Sequence, residues 1–231
     1  FVFIICALAL IALPLFAQQF GQGWVRIMAL ALLYVLLALG LNIVVGYAGL
    51  LDLGFVAFYA VGAYRYALLA SPHLSENFEG FKAMFPNGLH TPIWVVIPAA
   101  AGLAALAGVL LGTPVLKLRG DYLAIATLGF GEIIRVFFQT TEAFGAATGL
   151  TGIPNWTNLA WTWSGAAVTV FVVGSIVNST YGRGFIAVHD DEVAADAMGI
   201  NPVRYKVTAF VIGAFFAGLA GGLYAHHKQF L

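Results

Sequence analysis

WVRIMALALLYVLLALGLNIVVGY, residues Trp24–Tyr47, decides the fold class. A helix rises ~1.5 Å per residue, so ~20 apolar residues cross a hydrocarbon core of ~30 Å. This segment has the length, and its only formal charge, Arg26, stands near one end beside Trp24. Trp and Arg at the end of an apolar run are the residues that anchor a span at the membrane interface. Working outward, the same pattern recurs. Phe1–Ala17 precedes it, and Leu50–Ala70, Pro92–Leu116, Asp121–Gln139, Trp163–Val177 and Val207–His226 follow. These spans predict an all-α, polytopic transmembrane helix bundle with about seven spans.

Composition points the same way. Hydrophobic residues make up 61% and charged residues 9%, and the mean hydropathy is +0.94. Soluble domains carry about 25% charged residues. Ten Lys+Arg and ten Asp+Glu in 231 residues cannot cover a globule with a wettable surface, whereas lipid asks for no such cover. The 27 glycines suit close helix packing in lipid. Net charge is zero, which gives no reason to expect a nucleic-acid partner. A single cysteine, Cys6, excludes an internal disulfide or a cysteine-based zinc site.

Phe1–Ala17 also fits the apolar core of a signal peptide, but no basic stretch precedes it and the remainder is membrane sequence. It reads as a first span. Opening on Phe1 and stopping after a hydrophobic helix at Leu231, the chain is expected to lack an N-terminal piece and further C-terminal helices. Residues 40–54 hold Gly40, Gly46, Gly49, Gly54 and Asp52, which predicts a broken or re-entrant segment rather than a clean helix. Lys117 and Arg119 fall in one connection, and Arg183, Arg204 and Lys206 in another. The positive-inside rule puts both in the cytoplasm and 71–91 and 140–162 outside.

The connection at 182–206 reads GRGFIAVHDDEVAADAMGINPVRYK. Asp190, Asp191 and Glu192 stand where a helix would start, where acidic groups favour the helix dipole. Gly199 is placed for a C′ stop and Asn201-Pro202 blocks continuation. A short helix bounded at both ends, set between two spans, is either a solvated surface helix or a docking element for another protein.

Glu192-Val-Ala-Ala-Asp-Ala-Met-Gly199 resembles the coupling motif of ABC importer permeases, in which Ala-Ala precedes three residues and Gly. Blocks around it resemble the branched-chain amino acid permease family, LivM type. They are Asp190–Asn201, Lys206–Phe210, Ala214–Gly221, Leu41–Leu50, Phe58–Tyr64 and Leu118–Arg135, in order over about residues 24–228. The resemblance implies a single transmembrane permease domain over 1–231 with a cytoplasmic coupling loop at 182–206. It makes Asp190, Asp191, Glu192, Ala194, Ala195 and Gly199 the contacts to an ATPase. It also implies four kinds of partner in a bacterial inner membrane: a related second permease, two cytoplasmic ATPase subunits, an external solute-binding protein and the bilayer. Some positions depart from the general motif: Val193 precedes Ala194 where that motif has Glu, its Ile-x-Leu-Pro element is absent, and His189 stands where relatives often carry Arg.

Without a Gly-x-x-x-x-Gly-Lys-Ser/Thr loop, ATP hydrolysis falls to a partner, and neither cofactor nor metal is called for. Polar residues inside spans are candidates for the route or for bundle packing, because charge at mid-bilayer is costly. Glu132 and Arg135, at i and i+3, are placed to pair. Asp52 caps a half-helix or borders the route. Asn42 bonds a neighbouring helix or a solute. Asp121 reads as a helix N-cap. The function implied is import of branched-chain amino acids. Urea or short amides are the alternative within the family, and a secondary transporter or channel the alternative outside it. A membrane-embedded enzyme lacks a Ser/His, His/Glu or paired-aspartate set in the spans.

Overall fold

The computed structural model of the protein describes residues 19, 21–70, 93–118, 120–141 and 159–228. The expected span Phe1–Ala17, the expected outer connection at 71–91 and most of that at 140–162 lie outside the described residues. The described elements are helical: α1 (Gln22–Asn42), a π-helical turn (Ile43–Tyr47), α2 (Val56–Ala70), α3 (Ile93–Val115), α4 (Asp121–Thr140), α5 (Leu159–Val177), α6 (Thr180–Asp190), α7 (Glu192–Ala197) and α8 (Pro202–Lys228). Five stretches among them are long and apolar enough to cross a membrane: Gly23–Tyr47, Val95–Val115, Asp121–Thr140, Leu159–Val177 and Pro202–Ala225. The expected span Leu50–Ala70 is shorter than its apolar run. Its helix begins only at Val56 and is described over 15 residues, because residues 48–55 are irregular.

The break falls within 40–54. The helix widens at Ile43–Tyr47, where Ala48 N–H reaches back to the Ile43 carbonyl at 3.1 Å and Leu50 N–H to that of Val44 at 3.0 Å. Such π turns interrupt helices at functional positions.

Helix α8 is the hub, with 61% of its most apolar window buried. Its inner face is built from small residues, Ala209, Ala214, Ala217, Ala220 and Ala225, all fully buried. Between them, glycines admit neighbouring backbones, as small residues do at membrane helix contacts. A Cβ on Gly221 would collide with the Tyr59 carbonyl of α2, and one on Gly62 of α2 with the Gly218 carbonyl of α8. Large residues fill the remaining space. Phe58 of α2 meets Phe210 of α8 edge-on at 5.3 Å, within a core holding Ile43, Val44, Phe55 and Phe216. Helix α5 packs on α1, with Leu33, Leu36, Ala166 and Leu223 in a second cluster.

Helix α5 starts four residues before the expected Trp163, where Thr162, fully buried, turns its hydroxyl to the Leu159 carbonyl. Helix α8 starts at Pro202 rather than Val207. Asn201 Oδ1 accepts from Arg204 N–H at 3.0 Å and Pro202 takes the first helical position. The pair thus opens a helix as well as blocking the previous one.

Candidate functional site

Residues 178–201 contain two short helices where one is expected. Ser179 opens α6 by accepting from Tyr181 N–H at 3.1 Å. Asp190 ends α6. Asp191 is the N-cap of α7: its Oδ1 accepts from Val193 N–H at 2.8 Å and from Ala194 N–H at 3.0 Å. Glu192 follows in the first turn, and Ala195 is buried while Ala194 is exposed. The end of α7 is a Schellman closure. Gly199, at φ 84°, donates to the Asp196 carbonyl at 2.9 Å and Ile200 to that of Ala195 at 3.0 Å. A side chain at that φ would strain the backbone.

The outer surface of this segment is apolar as well as acidic. Val193 is 74% and Met198 82% exposed, beside exposed Asp190, Asp191 and Asp196. Several contacts tie it to the bundle, Phe185 in the main core among them, and two more bear on the expected coupling role. Lys206 of α8, buried, donates its Nζ to Glu192 Oε1. The His189 ring lies directly against Gly49, just past the π turn, at φ 65°. The connecting segment therefore touches the break in the first described span.

Beyond that break, Asp52 is buried. Its Oδ1 accepts from Gly54 N–H at 2.9 Å, so it closes the turn ahead of α2 and does not cap the helix itself. Its Oδ2 is buried without a hydrogen-bond partner among the described residues. Thr127 of α4 accepts from Leu53 N–H at 3.0 Å and donates to the Ala124 carbonyl. Gly54 is the close approach that allows this, because a Cβ there would overlap the Thr127 carbonyl. Asn42, the last residue of α1, is exposed and its side-chain amide oxygen sits where a Cβ on Gly46 would be. Asp121 occupies the first position of α4, and Gly120, at φ 55°, is the N-cap. The expected Asp121 cap is thus one residue late, and Asp121 stands instead as the acidic residue of the first turn.

Glu132 and Arg135 are paired, Arg135 Nη1 donating to Oε1 at 3.0 Å and to Oε2 at 3.2 Å. Both side chains are exposed, 60% and 63% respectively. A cavity of about 290 Å³ runs beside them between α2 and α4.

Residues 23–229 match the model of a family described as "Branched-chain amino acid transport system / permease component". The chain belongs to this family. The family is one of transport permeases, not of enzymes, and with the apolar helices above it makes the chain a multi-pass membrane protein. Two curated relatives are the high-affinity branched-chain amino acid transport system permease proteins LivM of Escherichia coli, 37% identical over 91% of this chain, and of Salmonella typhimurium, 36% identical over 91%. The permease chain spans about half the length, 54%, of each of these relatives. No solved structure matches it.

This geometry brings forward four residues that no motif marks as functional. In the sequence Lys206 bears on orientation and on the family resemblance, yet a Lys four residues into an apolar helix also calls for a partner. His189 stands out in the sequence only as a departure from relatives. Thr127 was hidden in an apolar run. Arg65 of α2, whose Nε is buried without a partner among the described residues, was visible as the one cation of its span. Among the described residues no group of three or more His, Cys, Asp or Glu is placed to hold a metal.

Proposed function

We propose that the chain is the single permease domain, over 1–231, of an ABC importer for branched-chain amino acids in a bacterial inner membrane. It works with a related second permease, two cytoplasmic ATPase subunits and an external binding protein. Residues 182–206 form the cytoplasmic coupling loop, with Asp190, Asp191, Glu192, Ala194, Ala195 and Gly199 at the ATPase. The observation that carries this reading is α7, capped at both ends, with Val193 and Met198 presented outward. Exposed Val and Met on a short helix rimmed by carboxylates suit a partner groove with an apolar floor and a basic edge. The contacts of Lys206 with Glu192 and of His189 with Gly49 support a mechanical role. A push on α7 reaches the start of α8 through the ion pair, and a movement of α6 reaches Gly49, just past the π turn, through the imidazole. Nucleotide-driven closure of the ATPases would then shift the break in the first described span.

Solute choice rests on the names of the relatives. An amino acid zwitterion has no net charge, which is compatible with spans holding few charges of mixed sign, Asp52, Glu132 and Arg135 among them.

The test is uptake by the complete assembly. Gly199→Trp and Glu192→Lys should each abolish ATP-driven leucine uptake while the chain still inserts and co-purifies with the second permease. Undiminished uptake in both variants removes the coupling role. ATP-dependent urea uptake without leucine uptake removes the solute and leaves the importer class standing.

A further inference from the structure

Helix α4 has three faces. At about 100° per residue, Leu123, Thr127 and Phe138 share one side and are buried. Tyr122, Ile133, Val136 and Phe137 share another and are exposed and apolar, as a lipid-facing side must be. Between them Asp121, Leu128, Glu132, Arg135 and Gln139 fall within a stripe about 60° wide. All five are exposed, and they include every charged or amide side chain of the helix. The stripe runs the length of a span whose ends are ~30 Å apart, and Glu132 and Arg135 stand ~17 Å and ~21 Å from its start. Charged groups that far inside a span almost always face protein or water rather than lipid. The cavity beside the pair is walled by Leu53, Ala60, Leu128 and Phe138 as well as by Glu132 and Arg135, and at about 290 Å³ it is near the lower bound of small-molecule sites, ~300 Å³.

We propose that this stripe lines an aqueous route through the permease and that Glu132 and Arg135, with the cavity beside them, form a low-affinity subsite for a zwitterionic amino acid. The inference rests on the transport reading above. Arg135 uses only Nη1 in the ion pair, so Nη2 and Nε remain for a carboxylate, which guanidinium matches in planar geometry. The Glu132 oxygens retain lone pairs for an ammonium. Leu53, Ala60, Leu128 and Phe138 receive an aliphatic side chain. An intrahelical pair of opposite charges offers each end of a zwitterion its complement without imposing a net field. Urea can hydrogen-bond to either group but lacks the two opposite charges that the pair complements.

The experiment uses the complete assembly in liposomes, with Cys6→Ser and single cysteines introduced by Leu128→Cys, Gln139→Cys or Ile133→Cys. A membrane-impermeant, positively charged methanethiosulfonate should modify the cysteines at 128 and 139 and leave the one at 133 untouched. No modification at 128 or 139 overturns the proposal; modification there only when the chain is isolated shows that the second permease covers the stripe, and overturns it equally. Glu132→Gln and Arg135→Gln should each lower leucine uptake about tenfold or more, the cost of a lost charge-assisted hydrogen bond. Co-purification of the partner subunits confirms that the variants assemble. The charge exchange Glu132→Arg with Arg135→Glu restores an ion pair but reverses its order. Recovery of wild-type uptake would mean the pair is merely structural. A wild-type assembly that imports no leucine defeats the transport reading, whereas one that imports leucine while 128 and 139 stay unmodified defeats only the subsite.

Discussion

Helices α8 and α4 both cross the apolar core, yet they are built for opposite neighbours. In α8, 61% of the most apolar window is buried; in α4 the figure is 17%. The buried helix reaches its neighbours through small residues, and its buried cation, Lys206, sits near one end against Glu192. The peripheral helix touches α2 and α3 along one narrow side and carries Glu132 and Arg135 in the open. Apolarity alone does not separate them, because both satisfy the length and hydropathy of a span. What separates them is the size of the side chains on the contact face. In lipid no hydrophobic force drives helices together, so close backbone packing decides which helix becomes the centre.

Three substitutions test that difference, beginning with the largest effect. Gly221→Leu puts a side chain onto the Tyr59 carbonyl, backbone that cannot rotate away. Overpacking a tight contact costs ~1–3 kcal/mol and more where backbone must move. The purified protein should lose cooperative thermal unfolding or unfold at much lower temperature in detergent; an unchanged midpoint would remove α8 as the hub. Thr127→Val, on the one packed side of α4, keeps the shape and deletes the acceptor for Leu53 N–H. An unsatisfied amide costs ~1–3 kcal/mol, so the midpoint should fall measurably but less far, with the turn at Asp52 exchanging its amide protons faster. Ile133→Ala, on the exposed apolar side of α4, should change stability by less than about 0.5 kcal/mol. A larger loss there would show that this side is packed against protein.

Much of the chain was legible from its residues. The apolar runs located α1, α3, α4, α5 and α8 to within five residues at their ends, because length and hydropathy are local properties. The break near 40–54 was legible because glycines and Asp52 interrupt a span. Gly199 and the acidic run bounded α7, but the division of the connection into α6 and α7 was not legible. It depends on Asp191 leaving helical geometry, and nothing in the run of Asp190, Asp191 and Glu192 says which of them will cap.

By itself, then, the sequence determined that this is a multi-helix membrane protein, where five of its seven expected spans lie, and where the capped segment between α5 and α8 sits. Those follow from residue-by-residue transfer from water to lipid and from local hydrogen bonding at helix ends. Only the tertiary structure decided that α8 is central, that His189 meets Gly49, that Lys206 holds Glu192, and that Glu132 and Arg135 face outward beside a cavity. Each depends on which helices approach one another, and that is set by surface shape across residues far apart in the chain.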